Sequence, residues 1–525
     1  MQLVAAPLRF AFSSLPLGAV FTASAVVALA LVVASPAVAQ APAAMLGPEP
    51  PAVAAGELAA RRAAVAAELG PDALLVLVAP EPARRNGDVS WPFRQDDDLY
   101  WLTGVAVPGS ALALVTGPDG ALVRSVLLAP EADPLAELWT GPVPTSEELT
   151  AVSGIAEVAA SGELRSFLAA ALSGRAWGES DLYRYYRAPA VPGFSRAVAA
   201  GRATVWLALG NRGFGGGAAA SPTLELARQV RDTWPEVALA NATPLLVARR
   251  EIKSPAEVAL LERAIAITEE GIRAGMRRAL TAERENQVQA TLEHAFRDLG
   301  ACCWGFPSIV AAGANTTILH YEAGEAPIER DGLVLLDVGA DYRGYTADVT
   351  RTFPADGTFS PDQRTIYQAV LDVWQAALPR LVPGNLYADV HTFAMERMGE
   401  ELLALGLIAE NVTEQVRLYF PHGLGHPLGL QVHDEFDRTR VLEPGMAWSL
   451  EPGLYVRPGD VTASAAFTAL AEERQAAIRA ALDRYAGLGV RIEDDVLITD
   501  GAPRVLSDGA PRTVAAIEAW MAGGG

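Results

Sequence analysis

The sequence predicts two domains of different class, an α/β domain over residues 56–248 followed by an α+β domain over residues 249–525. Three observations predict this. A chain of 525 residues is longer than one ordinary core organises. In the first half, short apolar runs alternate with turns and helical stretches. In the second half, runs of strands and runs of long helices are kept apart, as when helices cover one face of a largely antiparallel sheet.

The elements follow in chain order. Arg9 is the only charge in residues 1–39, residues 19–34 are almost unbroken apolar sequence, and Ala37-Val38-Ala39 supplies a small-residue cleavage site. This reads as a signal peptide cut after Ala39, so the mature protein is expected to be exported, periplasmic or secreted. An uncleaved N-terminal anchor is the alternative, because the apolar run is long for a signal. Residues 40–55, rich in alanine and proline, read as a disordered leader. A helix with Leu58, Val65 and Leu69 on one face follows, then a buried strand over 73–78 and further strands near 111–115 and 125–128. A strand at 204–209 runs into Gly213-Phe214-Gly215-Gly216-Gly217-Ala218, a literal dinucleotide fingerprint. That motif needs a helix to begin on it. The next helix is capped later, by Ser221-Pro222, so a flexible loop is expected. Residues 245–253 read as a short basic linker.

The second domain opens on Ser254-Pro255-Ala256-Glu257, an N-cap serine, a proline at the first helical position and a capping-box glutamate. This helix is expected to reach about Leu280, with a second over 285–299. Strands and turns fill 305–353, Ser360-Pro361-Asp362-Gln363 caps a third long helix, and a fourth covers 386–405. Strands then return, ending on Val496-Leu497-Ile498.

Composition removes several classes of function. A net charge of −21 leaves no basic footprint for nucleic acid or an anionic membrane face. The only lysine is Lys253, so there is no phosphate-binding Gly-Lys-Ser/Thr loop, and Schiff-base chemistry would fall on a residue in the charged linker. No Gly-x-Ser-x-Gly elbow occurs. The two cysteines, Cys302 and Cys303, are adjacent. They are too few for a four-sulfur zinc site and pair only with strain, so they are expected to be small buried hydrophobes beside Trp304.

Chemistry concentrates in the second domain. Of six histidines, His422, His426 and His433 lie within Pro421–Asp434, spaced by glycines, and His320 precedes an acidic motif. The apolar run Leu333-Val334-Leu335-Leu336 ends on Asp337. Asp348 comes eleven residues later, after a turn expected around 341–344, so a hairpin brings the two aspartates onto neighbouring strands. Trp448-Ser449-Leu450-Glu451 and Val490-Arg491-Ile492-Glu493-Asp494-Asp495 add carboxylates at strand ends. Buried carboxylates do not stay ionised together without positive charge, and four of them with a histidine suit two divalent cations.

These motifs resemble metallopeptidase family M24, with the creatinase-like or pita-bread fold, and within it the Xaa-Pro aminopeptidases. The resemblance is carried by Ile318-Leu319-His320-Tyr321, Leu336-Asp337-Val338-Gly339-Ala340, Asp348-Val349-Thr350-Arg351-Thr352-Phe353, His422-Gly423-Leu424-Gly425-His426, Val432-His433-Asp434, Glu451-Pro452-Gly453-Leu454-Tyr455 and Arg491-Ile492-Glu493-Asp494. In the first domain it is carried by Phe93-Arg94-Gln95-Asp96 and Tyr100-Trp101-Leu102-Thr103-Gly104, so it covers nearly the whole mature chain.

The resemblance implies that Asp337, Asp348, His426, Glu451 and Glu493 hold two metal ions, manganese in most of the family, with Asp348 and Glu493 bridging. It implies a metal-bridged hydroxide that attacks the bond before proline, with Glu451 as proton acceptor. His320 and His433 would position substrate, His422 would stabilise the tetrahedral intermediate, and Tyr455 and Arg491 would orient ligands. Peptides with proline at the second position are the implied substrates. Proline's tertiary amide has no N–H and its ring suits a shaped apolar pocket. Homo-oligomers, dimers or tetramers, are common in the family, and Trp139 resembles a position through which a neighbouring subunit shapes the pocket. An alanine-rich stretch over 463–485 departs from shorter relatives and is expected to be a surface elaboration rather than a cover for the site mouth or an oligomer contact. The rival readings are an Xaa-Pro dipeptidase with nearly the same metal motifs, a methionine aminopeptidase, which would not need the first domain, and a catalytically inactive binding protein on the same fold.

Overall fold

The computed structural model describes residues 46, 49–178, 189–210 and 222–523. The stretch read as a signal peptide and the glycine-rich stretch 213–218 lie outside the described residues. In the first half a mixed six-stranded sheet runs in the order Val158–Ala160, Leu122–Ala129, Ala111–Thr116, Ala73–Val78, Thr204–Leu207, Ala238–Asn241. The central strand pairs antiparallel with Ala111–Thr116 and parallel with Thr204–Leu207. Side chains alternate across a strand, so each buried strand serves two cores. Leu74, Val76, Ala113 and Val115 pack under the helices Leu164–Ser173, Phe194–Ala199 and Pro222–Thr233. Leu75, Leu77, Leu112 and Leu114 face the other way, into a core continuous with Leu260, Leu261 and Ile265 of the second half.

The expected linker is instead the helix Thr243–Arg250, which buries Leu246, Val247 and Arg250. Its charges misled the reading because they are paired inside. Arg250 bridges Asp98 at 2.8 Å and Asp434 at 2.6 Å, and Lys253, buried, lies 3.4 Å from Asp434. The short helix Pro134–Thr140, which carries Trp139, buries none of its residues.

In the second half the capping boxes form as expected. Ser254 starts Pro255–Ala279 with reciprocal bonds to Glu257, and Ser360 starts Pro361–Ala377 with reciprocal bonds to Gln363. Glu257 does more than cap, because its carboxylate also accepts from Trp101 and Tyr345 and pairs with Arg61 at 3.0 Å. The other two long helices are Glu285–Asp298 and Tyr387–Ala404. They cover antiparallel strands, Ile309–Ala312 with Leu333–Val338 with Val349–Pro354, and Ala447–Leu450 with Asp494–Leu497 with Arg504–Val505. The alanine-rich stretch forms Ala465–Thr468 and Glu472–Tyr485, anchored by Phe467, Ile478, Leu482 and Tyr485. None of these residues lines the large cavity described next. Among the described residues, no helix is long and apolar enough to cross a membrane.

Candidate metal centre

Two broken hairpins build the site. Leu333–Val338 and Val349–Pro354 pair up to Val338 opposite Val349. Beyond that point the chain continues as a small separate hairpin closed at Arg343 and Gly344, both at positive φ (53° and 84°), as a two-residue primed turn requires. The break falls at Gly339, where a Cβ would lie 1.7 Å from the Ala347 carbonyl oxygen. Asp337 and Asp348 flank this break. The turn lies where the sequence predicted it, but the two aspartates are staggered rather than directly opposed, because Asp337 pairs with Thr350.

The second break separates Ala447–Leu450 with Asp494–Leu497 from Gly453–Tyr455 with Gly489–Arg491. Glu451 and Glu493 occupy this gap, where strand pairing lapses and side chains turn toward the first pair. The histidine segment runs alongside, its backbone fixed by Glu451 N–H to Leu424 O and Ser449 N–H to His426 O, both 2.8 Å.

The ligating atoms of Asp337, Asp348 and Glu493 all lie within 4.8 Å of one another, and so do those of His426, Glu451 and Glu493. His426 Nε2 is 3.4 Å from Asp348 Oδ2 and 3.7 Å from Glu451 Oε1. His433 stacks on His426 with ring centroids 3.8 Å apart and joins a third group with Asp348 and His426. His320, His422, His433 and Arg491 share with the five acidic and imidazole groups a cavity of about 940 Å³, whose apolar wall includes Phe306, Pro307, Leu319 and Val432. Tyr455 does not line the cavity. It stands behind, accepting from Arg491 Nη1 at 2.8 Å and lying 2.9 Å from His422 Nε2.

Electrostatics here reflect burial of like charges. Burial first, then Asp337, push Asp348 well above the ordinary carboxylate range. Burial and Asp348 do the same to Glu493. Burial raises Glu451 to about 7, against the pull of His426 and Arg491. Burial, with Arg491 adding to it, lowers His422 to about 3, so that imidazole is neutral, and burial with His426 lowers His433 to about 4. The buried oxygens Asp337 Oδ1 and Asp348 Oδ1 have no hydrogen-bond partner. Unpartnered oxygens aimed into a pocket, hard carboxylate donors and a neutral imidazole fit divalent cations.

Several supporting residues were not singled out from the sequence. Thr350 Oγ1 donates to Glu493 Oε2 at 2.7 Å, Asp495 Oδ2 accepts from the Asp348 amide at 3.1 Å, and Arg351, fully buried, donates to the Glu493 carbonyl at 2.6 Å. The ion pairs Arg250–Asp434 and Arg250–Asp98 fix the loop after His433 to the first half of the chain. An unusually basic, lysine-bearing stretch before the first capping box was the signal available for this clamp.

A strand-built cluster of this donor set defines a metal-dependent hydrolase, and comparison with known proteins narrows the class. The family model for metallopeptidase family M24 matches residues 259–500, and that for the aminopeptidase P N-terminal domain matches residues 58–178. The chain belongs to metallopeptidase family M24. It is 30% identical over 475 residues to the Xaa-Pro aminopeptidase of Haemophilus influenzae, covering 89% of this chain and 97% of that one. It is 31% identical to Xaa-Pro aminopeptidase 1 of Streptomyces coelicolor, covering 90% and 88%. Among solved structures, Escherichia coli aminopeptidase P with the inhibitor Pro-Leu superposes with a TM-score of 0.73 at 29% identity, covering 90% of this chain and 99% of that chain. The fold is therefore that of aminopeptidase P, the α/β plus pita-bread arrangement expected.

Proposed function

We propose that the protein is an Xaa-Pro aminopeptidase, releasing the first residue from peptides whose second residue is proline. The observation that carries this reading is the pair of ligand triads sharing Glu493, in a chain whose relatives across nine-tenths of its length carry that name. Asp337, Asp348, His426, Glu451 and Glu493 would hold two divalent ions, with Mn2+ the ion proposed. A zinc-substituted Escherichia coli aminopeptidase P in complex with product is among the structural relatives, which supports a site open to divalent ions in general. Ions bound there supply Lewis acidity at the scissile carbonyl and a nucleophile drawn from water at neutral pH.

The chain's own groups do the rest. Glu451 Oε2, 3.6 Å from His422 Nδ1, takes up the proton released during attack and returns it to the departing proline nitrogen. His422, neutral, donates to the oxygen on which charge develops, exchanging its 2.7 Å contact with the Gly423 carbonyl for the substrate. His320 and His433 at the exposed rim position the peptide, and Phe306, Pro307 and Val432 give the proline ring an apolar wall. Arg491, bonded to Asp337, Tyr455 and Thr350, keeps Asp337 oriented.

The test is hydrolysis of an Xaa-Pro-Xaa tripeptide and an Xaa-Pro dipeptide by metal-stripped protein before and after Mn2+ is added. Metal-dependent release of the first residue from the tripeptide, absent in His426→Ala, is expected. Turnover of the dipeptide alone would assign a dipeptidase instead, a reading no observation above favours.

Export after removal of residues 1–39 is supported by their sequence and is checked by N-terminal sequencing of protein from fractionated cells. Self-association through the Pro134–Thr140 helix is supported by its exposed Leu135, Leu138 and Trp139, which are 75%, 78% and 86% accessible. Sedimentation of the Trp139→Glu variant checks it, with a smaller species expected.

A further inference from the structure

The two cysteines are not the buried hydrophobes expected. Cys302 is exposed and Cys303 half-buried, because Cys303 opens the short edge strand Cys303–Trp304 and Cys302 precedes it. That strand pairs with Ala340–Tyr342 with Cys303 directly opposite Asp341, so these two side chains share a face. Adjacent residues of a strand should point to opposite faces. Cys302 instead lies just outside the strand, on a bend, and its Sγ comes round to 2.9 Å from that of Cys303. Both sulfurs and a carboxylate oxygen of Asp341 lie within 4.8 Å of one another. None of the three lines the cavity of the metal centre.

We propose that Cys302, Cys303 and Asp341 form a binding site for a thiophilic divalent cation of the Zn2+ or Cd2+ class, separate from the five-residue centre. Two thiolates and one carboxylate with water in the fourth position make a tetrahedral donor set for such an ion. Sulfurs on a tetrahedral zinc lie about 3.7 Å apart at bond lengths of about 2.3 Å, so the pair needs only a small side-chain opening. Asp341 retains acceptor capacity. Its Oδ2 receives Arg94 Nη1 at 2.7 Å and its Oδ1 the Gly344 amide at 2.8 Å, and a carboxylate has about four lone-pair sites. The hydrogen bond between the two sulfurs draws the Cys303 thiol below its ordinary value, with Arg94 and Arg297 adding to this and burial and Asp341 opposing it, and it pushes the Cys302 thiol up. Binding the cation as two thiolates releases the thiol protons to solvent.

The chain has only these two cysteines, so a thiolate-to-metal absorption band reports this site alone, whatever occupies the five-residue centre. Full-length protein loaded with Mn2+ and kept reduced by a phosphine is titrated with Cd2+. A near-ultraviolet band saturating at the amplitude of two thiolates is expected, absent in the Cys302→Ser/Cys303→Ser double variant and reversed by Zn2+. Asp341→Asn should keep the band and weaken binding about 10-fold. Cys302→Ser, which leaves Asp341 and its Arg94 contact intact, should halve the band and weaken binding further still. No band in reduced protein with two titratable thiols overturns the proposal. So does unchanged Cd2+ affinity in Asp341→Asn, or a pair recovered only as a vicinal disulfide that gives no band on reduction.

Discussion

Two buried charge clusters are built from the same two stretches of chain and behave as opposites. Asp348 and Arg351 lie three residues apart, and Glu493 and Asp494 are neighbours. On one side, Asp494 is fully buried but met by Arg351 at 2.6 Å and Arg512 at 2.9 Å, with Ser507 Oγ donating at 2.6 Å. On the other, Asp337, Asp348, Glu451 and Glu493 face one guanidinium, Arg491. Ionised together, four carboxylates less one cation would leave three negative charges without a partner in the chain, which is why burial and repulsion push Asp348 and Glu493 up. Desolvation makes such a surplus cost several kcal/mol per ion by general experience. The first cluster has its charge matched within the chain. The second is complete only with cations, and that difference, more than any single motif, marks it as the functional one.

The largest expected effects attack this contrast directly. Asp348→Asn should lower Mn2+-dependent tripeptide hydrolysis by about 10³-fold or more, since it removes a ligand common to the cluster. In metal-free protein the same change should raise the melting temperature, because it deletes one of the repelling carboxylates. Calorimetry with and without chelator reads both signs. A metal-free variant that melts below metal-free wild type would collapse the comparison.

Arg351→Met tests the complete cluster. Removing one partner of a buried pair leaves Asp494 uncompensated, at a cost of about 3–5 kcal/mol. The loss should be the same with or without metal, measured as urea unfolding free energy, and Asp494→Asn added to it should restore part. A loss that appears only in the metal-free protein would mean that the Arg351 bond to the Glu493 carbonyl, rather than its pairing with Asp494, carries the stabilisation.

Why one cluster was legible in the sequence and the other was not follows from how each is encoded. The ligands sit in short local signatures: glycine-spaced histidines, an apolar run ending on Asp337, a turn of the right length before Asp348. The helices were equally legible, since Ser254 and Ser360 cap through side chains three residues away. Arg351 and Asp494 declare nothing locally, because their pairing spans strands far apart in the chain. The helix Thr243–Arg250 reads as a linker in the sequence for the same reason. Its arginine looks like solvated charge until Asp98 and Asp434 are brought to it. The cysteine pair was misplaced because burial on a two-residue edge strand is decided by neighbours rather than by residue type.

A pH titration sharpens the contrast further. Glu451 has its pKa raised by burial from an ordinary 4.5 to about 7 in the metal-free fold. A carboxyl raised on folding favours the folded state below its ordinary value, and that contribution is lost as pH rises through the folded value. Metal-free protein should therefore lose stability between about pH 4.5 and 7. The Mn2+-stabilised increment should grow over the same window, since ligands must shed protons to bind. Urea midpoints across this range in the two states should diverge as pH increases, and parallel curves would argue against a proton-holding apo centre.

The smallest effect separates two threonines on one strand. Thr350 and Thr352 are both fully buried and both touch Arg491. Thr350 Oγ1 also donates to Glu493 Oε2 at 2.7 Å and accepts from Arg491 Nε at 3.2 Å, so it orients a ligand and the arginine behind Asp337. Thr352 Oγ1 bonds only the Arg491 backbone, donating to its carbonyl at 3.0 Å and accepting from its amide at 3.2 Å. Thr350→Val should weaken Mn2+ affinity and kcat/KM by about 10-fold, the range seen when a ligand's orienting partner is lost. Thr352→Val leaves a buried amide and carbonyl short of a partner and should cost about 1–3 kcal/mol of stability without changing metal affinity. Equal losses of metal affinity in both variants would mean that strand geometry, rather than the Thr350 hydroxyl, holds Glu493 in place.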